Sequence, residues 1–312
     1  MLDKYKILVL GAGTMGASIA LTFGANGFET IVYDLNTEQL EKAKTMTAAN
    51  LQTLASVGEI SEDTIEKAQK MISYTNKLEE VASQANLVVE SVFESPEVKK
   101  EVFCLLDKLC SPEVIFTSNT SAMNIFEIAQ ISHPERLIIA HWFNPPHMMP
   151  LVELVRGPKT SDQTVETVKE LLTKLGKTPV VINQYIPGFI VNRFSGVIAR
   201  EAGYMIDQGW CTWEDIDSAV VNTFGLRWMF EGPLESREFI GWDISSINSN
   251  NLFPHLCNNN DPMPLAVEMV KKGTLGIKTG EGLKDYKNKD IKKLQQDRTM
   301  KIFRMLKVAR EL

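Results

Sequence analysis

A chain of 312 residues that is 44% hydrophobic and 23% charged is long enough for two domains with buried cores and too apolar to stay disordered. Its 33 Lys and Arg stand against 39 Asp and Glu, a net charge of −6 with no long basic run, which argues against nucleic acid as a partner. The opening MLDKYKILVL is too weakly apolar for a signal peptide, and no stretch approaches the roughly 18 apolar residues of a membrane helix. Cys104, Cys110, Cys211 and Cys257 lack the spacing of a zinc site or a disulfide framework, so the expectation is a cytoplasmic protein with reduced thiols, no metal and no membrane partner.

In chain order, the short apolar runs KILVL, TIVYD, ANLVVESVF, VIFTS, RLIIAHWF, LVELV and PVVI alternate, for the most part, with longer stretches of helical spacing. Strand and helix in alternation predict a mostly parallel, doubly wound sheet. Around NQYIPGF the Pro-Gly pair punctuates the pattern, and helical spacing takes over at 190–208, 213–223 and 293–311. The fold class is therefore read as α/β: a Rossmann-like domain over residues 1–184, followed by an all-α domain over 185–312. Residues 245–264, rich in Asn and Pro, read as an irregular connection or a loop-broken helical stretch.

Gly11, Gly13 and Gly16 directly follow the first strand run and open an amphipathic stretch. In that context the first glycine permits a tight turn, the second lets backbone approach a pyrophosphate, and the third lets helix and strand pack closely. The pyrophosphate would lie on the helix N-terminus, where unpaired N–H groups favour negative charge. Asp34 ends the second strand run, where an acidic residue grips an adenosine ribose. A carboxylate there repels a 2′-phosphate and the next residues, Leu35 and Asn36, offer no Arg to neutralise one, so NAD is preferred over NADP.

Hydride transfer from a secondary alcohol needs a base for the hydroxyl proton, a group that orients and charge-balances that base, and donors for the developing carbonyl oxygen. His141 and Glu153 supply the first two if the strand ends bring them together, and Ser121 and Asn192 are candidates for the third. His147, in the same segment, competes for the role of base.

The order of GAGTMG, SNTS, HWFNP, LVELV, PGFIVNR, EDID, GP and GIKTGEGLKDY resembles the 3-hydroxyacyl-CoA dehydrogenase family over nearly the whole chain. The resemblance implies that His141 is the catalytic base, Glu153 its partner, and Ser121 and Asn192 contacts to the reacting oxygen or its neighbouring carbonyl. It implies a cofactor site at Gly11, Gly13, Thr14, Met15, Gly16, Asp34, Glu94, Lys99, Asn119 and Asn144, and a homodimer through the helical domain.

Two departures bear on the substrate. Relatives that act on acyl-CoA carry Ser and Lys in the helical arm after the second strand, whereas residues 50–70 set Lys67 and Lys70 against Glu59, Glu62, Asp63 and Glu66. The segment FGLRWMFEGP is similar to relatives that oxidise free 3-hydroxy acids, such as L-gulonate 3-dehydrogenase and carnitine dehydrogenase, and ISHPERLIIAHWFNPPHMMPLVELV to the pyridine-carboxylate dehydrogenase of vitamin B6 degradation. Arg227 or Arg237 has the guanidinium geometry to bind a substrate carboxylate. A 3-hydroxyacyl-CoA substrate, short-chained as in 3-hydroxybutyryl-CoA and so part of fatty acid metabolism, is the family default, and a free 3-hydroxy acid the alternative. A silent, crystallin-like binding role is the reading from another class. The Trp and Met residues of HWFNPPHMM and RWMFEG are expected to be core.

Overall fold

The computed structural model describes residues 2–312 and divides into two compact units, one ending at Val191 and the other running from Asn192 to Leu312. The first unit is an eight-stranded sheet in the order β3-β2-β1-β4-β5-β6-β7-β8, flanked by helices. In chain order it comprises β1 (Ile7–Leu10), α1 (Thr14–Ala25), β2 (Thr30–Tyr33), α2 (Thr37–Ser56), α3 (Glu62–Met71), β3 (Ile72–Thr75), α4 (Leu78–Val81) and β4 (Leu87–Glu90). There follow α5 (Pro96–Leu109), β5 (Ile115–Ser118), α6 (Ile125–Ile128), β6 (Leu137–Trp142), β7 (Leu151–Arg156), α7 (Asp162–Lys174) and β8 (Thr178–Ile182). All neighbouring strands run parallel except β6 and β7. Helices on both faces explain why β1, β4 and β5 are buried at every position and read as continuous apolar runs.

The predicted doubly wound fold is what forms, with two differences. β3 carries no apolar run, because at the sheet edge only Ile72 of Ile-Ser-Tyr-Thr is buried; it merges into the preceding helical pattern when read from sequence. ANLVVESVF yields a strand only to Glu90: beyond it the Gly11 turn closes against the chain, and a Cβ on Gly11 would lie 2.3 Å from the Ser91 carbonyl oxygen.

The second unit is helical: α8 (Val191–Asp207, beginning one residue before it), α9 (Trp213–Val221), α10 (Phe224–Arg227), α11 (Glu235–Ile240), α12 (Trp242–Leu252), α13 (Pro264–Lys272) and α14 (Ile291–Ala309). Of the two readings of residues 245–264, the loop-broken helical stretch is what forms: the chain is helical through Leu252, with Ser249 donating its hydroxyl back to the Ser245 carbonyl, and then opens into a loop before α13. RWMFEG is a correction: Trp142 and Met148 of the earlier segment are core, but Trp228 is exposed and Met229 only half-buried. No described helix is long and apolar enough to cross a membrane.

Candidate active site

The turn between β1 and α1 is shaped by close approach. Gly11 has φ +96°, a region that favours glycine, and a Cβ on Gly16 would lie 1.9 Å from the Gly11 carbonyl oxygen. Gly13, by contrast, has open space where its Cβ would be, and as N-cap of α1 it offers no side chain to the helix's first N–H groups. Thr14 is exposed and Met15 half-buried at that N-terminus, which contains no acidic residue in its first turn. An uncapped helix start with free approach is a cradle suited to a pyrophosphate. Asp34 braces it, accepting the Ala12 N–H at 2.8 Å on Oδ2 and the Asn36 N–H at 2.9 Å on Oδ1. Each oxygen keeps acceptor capacity, so ribose hydroxyls and the turn can share the carboxylate.

Glu94 ties two loops of this crevice together. Its Oε1 accepts from the Thr120 hydroxyl at 2.5 Å and the Ser121 N–H at 3.2 Å, and its Oε2 meets the Lys99 ammonium at 3.0 Å. Burial works to raise its pKa, but the Thr120 hydroxyl, the Lys99 charge and the Ser121 N–H outweigh it and hold the carboxyl below its ordinary value. Lys99, expected along the cofactor, is instead 1% exposed and turned inward between Glu90 and Glu94, with almost no surface to offer a ligand. The Asn119 side chain accepts the Trp142 N–H at 2.8 Å, which fixes the end of β6, and Asn144 is exposed just beyond that strand.

His141 and Glu153 are register partners across the single antiparallel pairing, so their side chains share one face of the sheet. His141 Nδ1 lies 2.9 Å from Glu153 Oε2, and the two residues are 6% and 0% exposed. The other oxygen, Oε1, accepts the Ile190 and Val191 N–H groups, each at 2.9 Å. Those amides are aimed by Gly188 (φ +79°) and Phe189 (φ +52°). A left-handed Phe costs on the order of 1–2 kcal/mol, which the fully buried ring and the two bonds to Glu153 offset. Burial pushes the Glu153 carboxyl up, but the bonds from His141, Val191 and Ile190 prevail and keep it below its ordinary value. An ionised Glu153 can only accept, so the ring proton sits on Nδ1 and Nε2 is left as the acceptor. Phe143 and Phe189 flank the imidazole at 4.5 and 5.3 Å between ring centroids.

His147 has a different setting. Its backbone N–H donates to Ser18 Oγ at 3.2 Å, and its Nδ1 shares a hydrogen bond of 2.5 Å with the same hydroxyl. Burial first, then the charge of Lys177, lower its pKa to about 4. Such a histidine stays neutral near pH 7 and clamps the loop after β6 to α1.

Residues 6–185 match the NAD-binding domain of the 3-hydroxyacyl-CoA dehydrogenases, and residues 188–286 match their C-terminal domain. The chain belongs to the 3-hydroxyacyl-CoA dehydrogenase family. It is an NAD-dependent oxidoreductase of that family. The chain is 32% identical over 298 residues to 5-formyl-3-hydroxy-2-methylpyridine 4-carboxylate 5-dehydrogenase of Mesorhizobium japonicum, covering 95% of this chain and 96% of that one. It is 37% identical over 286 residues to a probable 3-hydroxybutyryl-CoA dehydrogenase of Bacillus subtilis, covering 91% and 98%. A solved structure of a 5-formyl-3-hydroxy-2-methylpyridine 4-carboxylic acid 5-dehydrogenase, described as an NAD+-dependent dismutase, superimposes with a TM-score of 0.91 at 31% identity over 98% of this chain and 99% of that one.

Asn192 and Arg227 lie in the second unit, Asn192 in the first turn of α8 and Arg227 exposed at the end of α10. Glu90, an acid closing LVVE inside an otherwise apolar strand run, is buried against Lys99 and the Ser118 hydroxyl; that acid is its one signal in the sequence.

Proposed function

We propose that this dehydrogenase interconverts a 3-hydroxy acid carrying a free carboxylate and the corresponding 3-keto acid, with His141 as the base and Glu153 as its charge partner. The observation that carries the reaction is the buried His141–Glu153 pair at 2.9 Å. NAD supplies the hydride acceptor for the alcohol carbon, its pyrophosphate held at the start of α1 and its adenosine ribose by Asp34. In the oxidation direction His141 Nε2 takes the hydroxyl proton while Nδ1–H stays on Glu153, so the imidazolium forms beside a carboxylate already held ionised. Ser121 and Asn192 are assigned to the substrate oxygens, and Glu94, Asn119 and Asn144 to the nicotinamide and ribose side of the cofactor.

The free-acid reading draws support from the arm formed by α2 and α3. Lys70 there lies beside Glu66 at 2.5 Å, the Ser56 hydroxyl donates to the Thr53 carbonyl of its own helix, and the arm's acids outnumber its lysines, which works against a polyphosphate. The near full-length superposition on a dehydrogenase of a pyridine carboxylate points the same way. Arg227 is assigned to the substrate carboxylate. The second reading, a 3-hydroxyacyl-CoA, is favoured by the 37% identity to the probable 3-hydroxybutyryl-CoA dehydrogenase. NADH consumption with acetoacetyl-CoA beside free 3-keto acids tests the choice. Turnover of free acids alone, lost in Arg227→Ala, is the expected result; fast turnover of the CoA ester, unchanged in that variant, would replace it with the second reading.

We further infer a homodimer through the helical unit, whose Trp210, Phe230, Phe239, Trp242 and Ile247 are all exposed in the single chain. With its four unpaired cysteines, the protein is placed in the cytoplasm.

A further inference from the structure

We propose that Glu90 is a positioning residue for cofactor binding: it fixes Lys99, and through Lys99 holds the Glu94 carboxylate and the Ser121 backbone in place. The inference deepens the reading above and rests on its assignment of Glu94 and Ser121.

Glu90 closes β4, level with Leu10 of β1 and Ser118 of β5, directly beneath the Gly11 turn. The three residues before it, Leu87, Val88 and Val89, are core, and an apolar side chain would finish the strand as Leu10 finishes β1. Instead the position holds a carboxylate that is 0% exposed, and burying a carboxylate is costly unless it is paired and hydrogen-bonded. Both of its oxygens are bonded. Oε1 accepts from Lys99 Nζ at 2.7 Å and the Val92 N–H at 2.9 Å, and Oε2 accepts from the Ser118 hydroxyl at 2.5 Å.

Lys99 reaches into this pocket from α5 and has a second partner, Glu94, at 3.0 Å. One buried ammonium thus lies between a buried carboxylate and one that is 38% exposed. The asymmetry assigns the roles. Glu90 cannot reach a ligand but anchors the ammonium; Glu94 has an open edge and is held from three directions, by Lys99, the Thr120 hydroxyl and the Ser121 N–H. Removing the charge of Glu90 leaves a buried ammonium with Glu94 as its sole counter-ion. The stronger pull on Glu94 would compete with its bonds to Thr120 and Ser121, and so distort both the cofactor-facing carboxylate and the loop that presents Ser121. A buried acid whose task was only to fill the strand would produce a loss of stability without that change in ligand binding.

The test compares full-length Glu90→Gln, Lys99→Met, Glu94→Gln and the Glu90→Gln/Lys99→Met pair, with NAD titrated by calorimetry, KM for NAD separated from kcat, and thermal unfolding recorded in parallel. The expected result is that Glu90→Gln and Glu94→Gln each weaken NAD binding by about tenfold, the size of one lost charge-assisted hydrogen bond. The paired variant should bind NAD no more weakly than Lys99→Met alone, since Glu90 acts through that lysine. If Glu90→Gln folds, melts lower and binds NAD within about twofold of the parent, the proposal fails while a weakened Glu94→Gln leaves the underlying site assignment intact. If Glu94→Gln also binds normally, that assignment falls and the proposal with it. Should Glu90→Gln not fold, the paired variant against Lys99→Met decides: equal affinities support the proposal, and a much weaker pair overturns it.

Discussion

The two units solve the burial problem in opposite ways. Up to Val191, sheet and helices bury one another's apolar residues on both faces, and only after that core exists do a few charged side chains sink into it with partners: Glu90 with Lys99, Glu153 with His141, Arg136 with Asp107. From Asn192 onward just four residues are buried, Gly203, Ser245, Cys257 and Phe303, while large apolar side chains line the helices in the open. A unit of this size with so little interior is difficult to account for as a free-standing structure, because apolar burial is the main favourable term in folding. The contrast teaches that the buried charged pairs need a formed apolar core around them, and that the second unit leaves most of its apolar surface uncovered in the single chain.

The largest effect that separates the units is catalytic. His141→Gln should lower kcat/KM by about a thousandfold, in the range expected for removing a general base, while leaving NAD affinity nearly unchanged; steady-state kinetics beside NAD titration check this, and near-normal turnover would make His147 or a solvent base the proton acceptor.

The next effect belongs to the helical unit. Phe239, 81% exposed on α11, should be covered by the second copy, so Phe239→Asp should weaken the dimer by about thirtyfold or more, a hot-spot loss. Sedimentation would read the shift toward monomer, and a dilution-dependent melt in the parent that disappears in the variant would assign that melt to the second unit. A parent that is monomeric at all concentrations would break the comparison.

Smaller still, Asp34→Asn should weaken NAD by about tenfold, as for a lost charged hydrogen bond, and narrow the preference over NADP, since a charge repelling the 2′-phosphate is removed. Competition binding of the two cofactors reads both numbers.

A separate effect, read against pH, is confined to the first unit. The neutral His147 has its pKa lowered to about 4 in the fold, below that of an unfolded histidine near 6.5. Between those values the unfolded chain binds a proton that the folded one refuses, so the stability contributed at neutral pH is lost as pH falls through that window, by up to ~1.4 kcal/mol per pH unit. Glu94 and Glu153, both held below their ordinary values, add losses of the same sign at lower pH. Melting temperature against pH should therefore be shallower in His147→Gln between pH 6.5 and 4 than in the parent; equal slopes would mean the clamp does not exclude the proton.

Much of this was legible because it is local. Gly11, Gly13 and Gly16 after an apolar run, and Asp34 at the end of the next, state the first crossover almost completely, since a turn and the start of a helix depend on neighbours within a few residues. The order of most strands and helices, the switch to helix after Pro187-Gly188, and the candidacy of His141 and Glu153 as a pair were present in the sequence.

Which polar groups face one another depends instead on packing between segments far apart in the chain. His141 meets Glu153 because β6 and β7 pair antiparallel in one register, and a slip of one residue would send the carboxylate to the opposite face. Glu90 looked like part of a strand and β3 like part of a helix, because edge position and buried ion pairs are set by distant segments. Lys99 pointed inward for the same reason: its partners lie on another strand and in a neighbouring loop, and a charge's burial depends on what packs around it rather than on its place along the chain.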